Sequence, residues 1–248
     1  MTSLRSGSAL RGAVALVTGA TGAIGQAIVA RLLDQGVIVH ALARNTSPIG
    51  DLRKSSRWPA DRLLDHAVDL AIDEEVERFC TEFNSRARQL DVLVHSAGAI
   101  QIAAFEKASL EDFDRQHRIN VRAPFRLTQA LLPLLVAAQG QVVFVNSSAG
   151  IRASKNGAQY GATKHALRAL ADSLRDEVNE RGVRVTSVFL GRTASGMQSL
   201  VHRAEGRSYD PAKLLQPADI ASVVVNALEL PRTAEVTDLW IRPFIKSY

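Results

Sequence analysis

The chain has 248 residues, 46% hydrophobic and 22% charged, which suits one α/β domain or two small ones with a sizeable core. Its net charge of +5 comes from scattered Lys and Arg with only 5% aromatic residues, a composition that disfavours a polynucleotide partner. The single cysteine, Cys80, excludes an internal disulfide, no apolar run reaches the length of a membrane span, and the polar start MTSLRSGSALRG lacks the core of a secretion signal, so a cytoplasmic setting is expected.

Residues 1–12 read as a flexible extension ahead of a single domain over 13–248. Val14-Ala-Leu-Val17 is an apolar run that ends in glycines, as a strand buried on both faces would. Over 23–35, Ile24, Ala27, Ile28 and Leu32, with the Arg31 stem, fall at helical spacing, and Gly36 stops the helix. A second strand follows over 37–42. Beyond it Arg44, Arg53, Lys54, Arg57 and Arg62 face only Asp51 and Asp61, a basic excess that suits a small anionic ligand. Strands near 63–69, 91–95, 141–146, 183–189 and 236–241 then alternate with helices near 73–88, 109–138, 158–181 and 217–229. Cys80 lies among Val76, Phe79 and Phe83 at helical spacing and reads as core. Pro133 should kink or end the long third helix, whereas Pro217 and Asp219 suit a first turn. The expected fold class is α/β, a doubly wound Rossmann-like domain with a mostly parallel seven-stranded sheet flanked by helices.

The turn Thr18-Gly-Ala-Thr-Gly-Ala-Ile-Gly25 joins the first strand to the first helix. Glycines permit positive φ and close backbone approach, and the helix N-terminus offers free N–H groups that favour a pyrophosphate. Together with His95-Ser-Ala-Gly98, Asn120, Ser147 and Tyr160-Gly-Ala-Thr-Lys164, this turn resembles the short-chain dehydrogenase/reductase family from about residue 12 to the last strand. TGATGAIG matches the TGxxGxxG of the family's long branch, which includes nucleotide-sugar epimerases. The short branch uses TGxxxGxG, whose middle glycine would here be Ala23. The chain has no room for the long branch's C-terminal substrate domain, and serine thirteen residues before tyrosine fits the short branch.

The resemblance implies Asn120, Ser147, Tyr160 and Lys164 as the catalytic set of a hydride transfer between a nicotinamide and a small carbonyl or secondary alcohol. Tyr160 and Lys164, i and i+4 on a helix, share a face. An ammonium ~5 Å from a phenolate at an effective dielectric of ~20 contributes ~3 kcal/mol, which should lower the phenol pKa by roughly two units. By resemblance Lys164 also binds the nicotinamide ribose, Ser147 orients the substrate oxygen and Asn120 keeps a water in a proton relay. The cofactor contacts implied are Gly19, Thr21, Gly22, Ala23, Ile24 and Gly25 in the turn, Arg44 and Asn45 after the second strand, Asp69 and Leu70 after the third, and Ala97 and Gly98. Tyr160, Lys164, Gly191, Thr193 and the Ser195 hydroxyl, which would hold the carboxamide, complete the set. His95 replaces a supporting Asn and reads as structural.

At the end of the second strand Ala43 stands where an NAD-specific site has an acid, and Arg44 can bind a 2′-phosphate, so NADP(H) is favoured over NAD(H). No metal site is expected. Residues 192–215, with Met197, Leu200, His202, Arg203, Arg207 and Tyr209, resemble the family's substrate lid. The family further implies a homodimer or homotetramer, with no nucleic-acid or membrane partner. Two rival readings are a non-catalytic NADP-binding sensor on the same fold and a nucleotide-sugar epimerase.

Overall fold

The computed structural model describes residues 9–54 and 58–245. Strand β1 (Val14–Thr18) is flanked by β2 (Ile38–Ala43) and β4 (Val92–His95), with β3 (Leu63–Ala67) beyond β2. On the other side β5 (Gln141–Ser147), β6 (Arg184–Leu190) and β7 (Asp238–Ile241) complete one all-parallel sheet in the order β3-β2-β1-β4-β5-β6-β7. Connections between parallel strands must cross over a face, and helices cover both faces here.

The alternation along each strand decides which helix it meets. Ala15 and Val17 point to one face, where α1 (Ala23–Asp34) packs with α8 (Pro217–Leu228) through Ile28, Leu32, Val224 and Val225. Leu16, Val142 and Phe144 point to the other. That face is covered by α3 (Asp73–Arg86), α5 (Ala123–Ala137) and α6 (Ala158–Val178), and Cys80, Leu127, Leu131 and Leu167 are buried there. Cys80 is thus the core residue its spacing indicated, and burial pushes its thiol up to about 11.

Four local expectations need correction. The helix expected over 109–138 is two helices, α4 (Leu110–His117) and α5, joined by a π-turn over Arg118–Arg122. Pro124 has no N–H for the carbonyl four residues earlier, Asn120, so the α ladder cannot run through this point. Pro133 does not end α5: it sits on an exposed face, as does Gln129, whose carbonyl loses its partner there and can turn to water. An unexpected helix, α2 (Ser47–Lys54), follows β2, started by Asn45 Oδ1 accepting from Ser47 N at 3.0 Å and anchored by buried Ile49. Of the extension expected over 1–12, residues 1–8 lie outside the described residues, but Leu10 is buried and Gly12 N donates to Gly36 O at 3.0 Å, so its end is docked.

The basic excess after β2 is mostly spent internally. Arg53 pairs with Asp65 across to β3, Arg62 donates to the Gly36 carbonyl, and Lys54 lies 3.9 Å from Asp51. Arg57 lies outside the described residues. Arg44 is exposed at the end of β2.

His95, at the end of β4, is buried, stacks on Phe144 at a centroid distance of 4.9 Å and shares a hydrogen bond with Thr128 Oγ1 at 2.8 Å. It is structural, as expected. Burial alone pulls its pKa down to about 3. The folded protein therefore holds it neutral while the unfolded chain takes up a proton near pH 6.5, so its contribution is intact above pH 6.5 and falls by about 1.4 kcal/mol per pH unit below it. Urea unfolding between pH 6.5 and 5 should show this slope, and His95→Asn should make it shallower by close to one proton. An unchanged slope would mean that His95 is not held neutral.

Candidate functional site

The site is built at the C-terminal ends of the strands, where the sheet order reverses between β1 and β4. Open α/β sheets bind ligands at this switch point. Gly19 has φ +65°, and a Cβ there would stand 2.7 Å from Ala97 Cα and N. A Cβ on Gly25 would meet Gly19 O at 2.2 Å, while one on Gly22 would meet the same atom at 3.3 Å, a tight contact but not an outright clash. Gly19 and Gly25 are therefore required by packing, and Gly22 is the extra glycine of the turn. Gly22 caps α1 without a side chain and the first turn carries no acid, which leaves the first N–H groups, at Ala23, Ile24 and Gly25, open to an anion. A cradle of this kind fits a dinucleotide pyrophosphate.

Thr18, to which no role was assigned from the sequence, ties this turn to the end of β4. Its Oγ1 accepts from Ser96 N and Ala97 N, both at 3.1 Å. A polar residue closing the apolar run VALV was the available signal.

A cleft of about 690 Å³ opens beside the turn. Its walls include Ile24, Ala97, Gly98, Ser147, Tyr160, Lys164, Gly191, Thr193 and Ser195, so residues far apart in sequence face one space. Asn120 is fully buried rather than in the wall. Arg44, Asn45, Asp69 and Leu70 lie outside this cleft, at the ends of β2 and β3. Asp69 does not cap α3: its Oδ1 accepts from Ala71 N at 2.9 Å and its own N donates to Glu75.

Helix α6 presents Tyr160 and Lys164 because it can approach β5 closely. A Cβ on Gly150 would stand 2.6 Å from Asn146 Oδ1 and 2.8 Å from Lys164 O. Asn146, buried at the end of the apolar run VVFV, donates to Lys164 O at 3.1 Å and accepts from Ser147 N at 2.8 Å. It fixes helix and strand end together, and its polarity inside a buried strand was a signal the reading passed over. The Ser147 hydroxyl accepts from Ala149 N at 3.1 Å and hydrogen-bonds Tyr160.

Asn120 sits in the π-turn with every side-chain group engaged. Its Oδ1 accepts from Ala99 N, and its Nδ2 donates to Ala99 O and to Thr163 Oγ1, each within 2.9 Å. The side chain is therefore a brace between the strand end and α6. Its backbone carbonyl cannot take an α-helical bond, because the residue four further on is Pro124.

Electrostatics differ from the sequence expectation. Lys164 Nζ lies 5.8 Å from the Tyr160 ring centre and donates to Val145 O at 3.0 Å. Yet Tyr160 is raised to about 12, because burial penalises the phenolate more than the Ser147 hydrogen bond helps it. Lys164 is lowered to about 8 by the same desolvation. The charge pair alone would lower the phenol by roughly two units, but the loss of water around both groups outweighs it.

The loop after β6 also differs. Ser195 caps helix α7 (Gly196–Ala204): its Oγ accepts from Gln198 N at 3.1 Å and donates to Thr193 O at 3.2 Å. The hydroxyl assigned to a carboxamide is thus committed to the cap. Thr193 is buried, its hydroxyl donating to Gly191 O at 3.1 Å. Of the residues expected in a lid, Met197 faces the cleft, whereas buried His202 packs edge-on to Tyr209 and is structural. Arg152, Arg192 and Arg242 also reach the cleft, and no spacing in the sequence pointed to them.

A profile of the family described as short chain dehydrogenase matches residues 13–206. An uncharacterized oxidoreductase of Staphylococcus epidermidis is 32% identical over 232 residues, covering 93% of this chain and 96% of that protein. Among solved structures, a metagenomic short-chain oxidoreductase in complex with NADP superposes with a TM-score of 0.80 at 27% identity, covering 96% of this chain and 99% of that one. An alcohol dehydrogenase of Thermococcus sibiricus complexed with 5-hydroxy-NADP gives 0.83 at 26% identity, covering 95% and 98%. With the all-parallel sheet, the glycine cradle and the matched profile over most of its length, the chain belongs to the short-chain dehydrogenase family and has its oxidoreductase fold.

Proposed function

We propose that the protein is an NADP(H)-dependent oxidoreductase that interconverts a small carbonyl compound and its secondary alcohol, with Tyr160 as the general acid and base. The observation that carries this reading is the meeting of Ser147, Tyr160 and Lys164 in one cleft that also borders the glycine cradle. When bound, the nicotinamide gives up or takes the hydride. For reduction, the Tyr160 hydroxyl donates its proton to the carbonyl oxygen while the Ser147 hydroxyl holds that oxygen by a second hydrogen bond. The buried Lys164 ammonium stabilises the phenolate that remains, and the carbonyl of Asn120 holds water from which the proton is restored. Because Tyr160 stands near 12, it is protonated at neutral pH and serves as the acid.

NADP(H) rather than NAD(H) is supported by Arg44, exposed at the end of β2 beside Ala43 and Asn45 with no carboxylate among the three. The NADP ligands of the two solved relatives agree with it. The sensor alternative loses weight because Tyr160 and Lys164 are both present and share the cleft. The epimerase alternative loses weight because serine thirteen residues before tyrosine fits the short branch.

Tyr160→Phe should leave NADPH binding, measured by fluorescence titration, within about twofold and lower turnover by about 10²–10⁴-fold; a variant retaining most of its activity removes Tyr160 from the acid role. For the cofactor, kcat/KM should be at least about tenfold higher with NADPH than with NADH, and Arg44→Gln should reduce that ratio by about tenfold or more. Equal use of both cofactors by the unaltered protein would reject the NADP assignment. Lys164, with its proton lost near pH 8, sets the alkaline limb. The reduction rate should hold below that pH and fall as pH rises through about 8, so a rate that climbs there would contradict the role given to its charge.

A further inference from the structure

Five charged side chains line the cleft, Arg152, Lys164, Arg192 and Arg242 against Glu205. Lys164 is engaged by Val145 O and lies beside the Tyr160 ring. Both oxygens of Glu205 accept from Arg192 Nη2 at 2.8 Å, so this acid and this base neutralise one another. Arg207 also leans on Glu205, at 3.6 Å, and exposed Arg203 is absent from the cleft wall, so the lid arginines add no charge to the space. Two cations remain. Arg152 and Arg242 are exposed into the cleft, and among the described residues neither guanidinium has a hydrogen-bond or ion-pair partner.

Their places in the sheet separate them from the cofactor's phosphates. Arg152 follows β5 just beyond Ser147, and Arg242 follows β7, its Cα 3.2 Å from where a Cβ on Gly191 would stand. Only β6 lies between those strands, which puts their ends about 10 Å apart. The glycine cradle ends β1, two strands from β5 and four from β7. Apolar side chains also line the cleft, among them Ile100, Ile102 and Trp240.

We propose that the substrate is an oxo or hydroxy compound with an apolar body and an anionic oxyacid group, a carboxylate or a phosphate, which Arg152 and Arg242 bind while its carbonyl lies at Ser147 and Tyr160. This rests on the oxidoreductase reading for the reacting end alone. Guanidinium forks match the planar oxygens of such groups, and low-dielectric walls strengthen the attraction.

The test uses two pairs of substrates with NADPH: 4-oxopentanoate against its methyl ester, and dihydroxyacetone phosphate against dihydroxyacetone. The charged member of at least one pair should have a kcat/KM about tenfold or more above its neutral partner, and the preferred pair separates carboxylate from phosphate. Arg152→Gln and Arg242→Gln should each cut that ratio by about 10-fold, chiefly through KM, with circular dichroism reporting that the variants fold. Calorimetric binding of glutarate and inorganic phosphate to the NADP⁺-loaded protein gives a readout independent of turnover. Tyr160-dependent turnover with no charge preference in either pair overturns the anion site and leaves the oxidoreductase reading standing. Glutarate or phosphate binding that both variants lose, with no turnover of any substrate, supports the anion site and overturns the oxidoreductase reading. Absence of both binding and turnover overturns the proposal.

Discussion

The site depends on one close approach, that of the glycine turn after β1 to the chain leaving β4. Gly19 places bare backbone where a Cβ would lie 2.7 Å from Ala97, and Thr18 holds Ser96 N and Ala97 N with a single oxygen. Neighbouring strands with connections leading away to opposite sides open a crevice at their ends, and here the crevice is kept narrow by hydrogen bonds rather than by side-chain bulk. Gly25 extends the same constraint into α1, since its missing side chain lets the first helical turn sit over Gly19 O. The helix N-terminus consequently points its open N–H groups into the crevice, and the apolar strands beneath keep it rigid.

A second joint mirrors the first. Gly150 admits the backbone of α6 to the end of β5, and Asn146 fastens the two by bonding Lys164 O and Ser147 N. Asn120 and Thr163 brace the other side of α6. These buried polar groups are satisfied, so they define one position for Tyr160 and Lys164 instead of weakening the core. The same burial raises the phenol and lowers the ammonium. Precise placement and ready ionisation are opposed here.

Much of this was legible from residues. The period of apolar positions located every strand of the sheet to within two residues and the helices α1, α3, α6 and α8, because long amphipathic or wholly apolar segments report their own burial. Where the reading failed, short-range and long-range effects competed. Helix α2 is polar and short, and only Ile49 anchors it. The break between α4 and α5 follows from Pro124 rather than from Pro133, a proline the exposed face tolerates. Ser195 lines the cleft, and the helix that starts after it also engages its hydroxyl.

The sequence by itself determined the order of elements and the glycine turn, because both are written in local spacing: two residues per strand repeat, three to four per helical turn, glycine where no side chain fits. The set of Ser147, Tyr160 and Lys164 was legible through its resemblance to a family pattern. Only the tertiary structure decided which charges are free and how Tyr160 and Lys164 ionise. Arg53 is cancelled by Asp65 and Arg192 by Glu205, partners that lie twelve and thirteen residues away, while Arg152 and Arg242 reach one cleft from different strands. Ion pairing and desolvation depend on the atoms that surround a group in space, and no run of neighbouring residues specifies those.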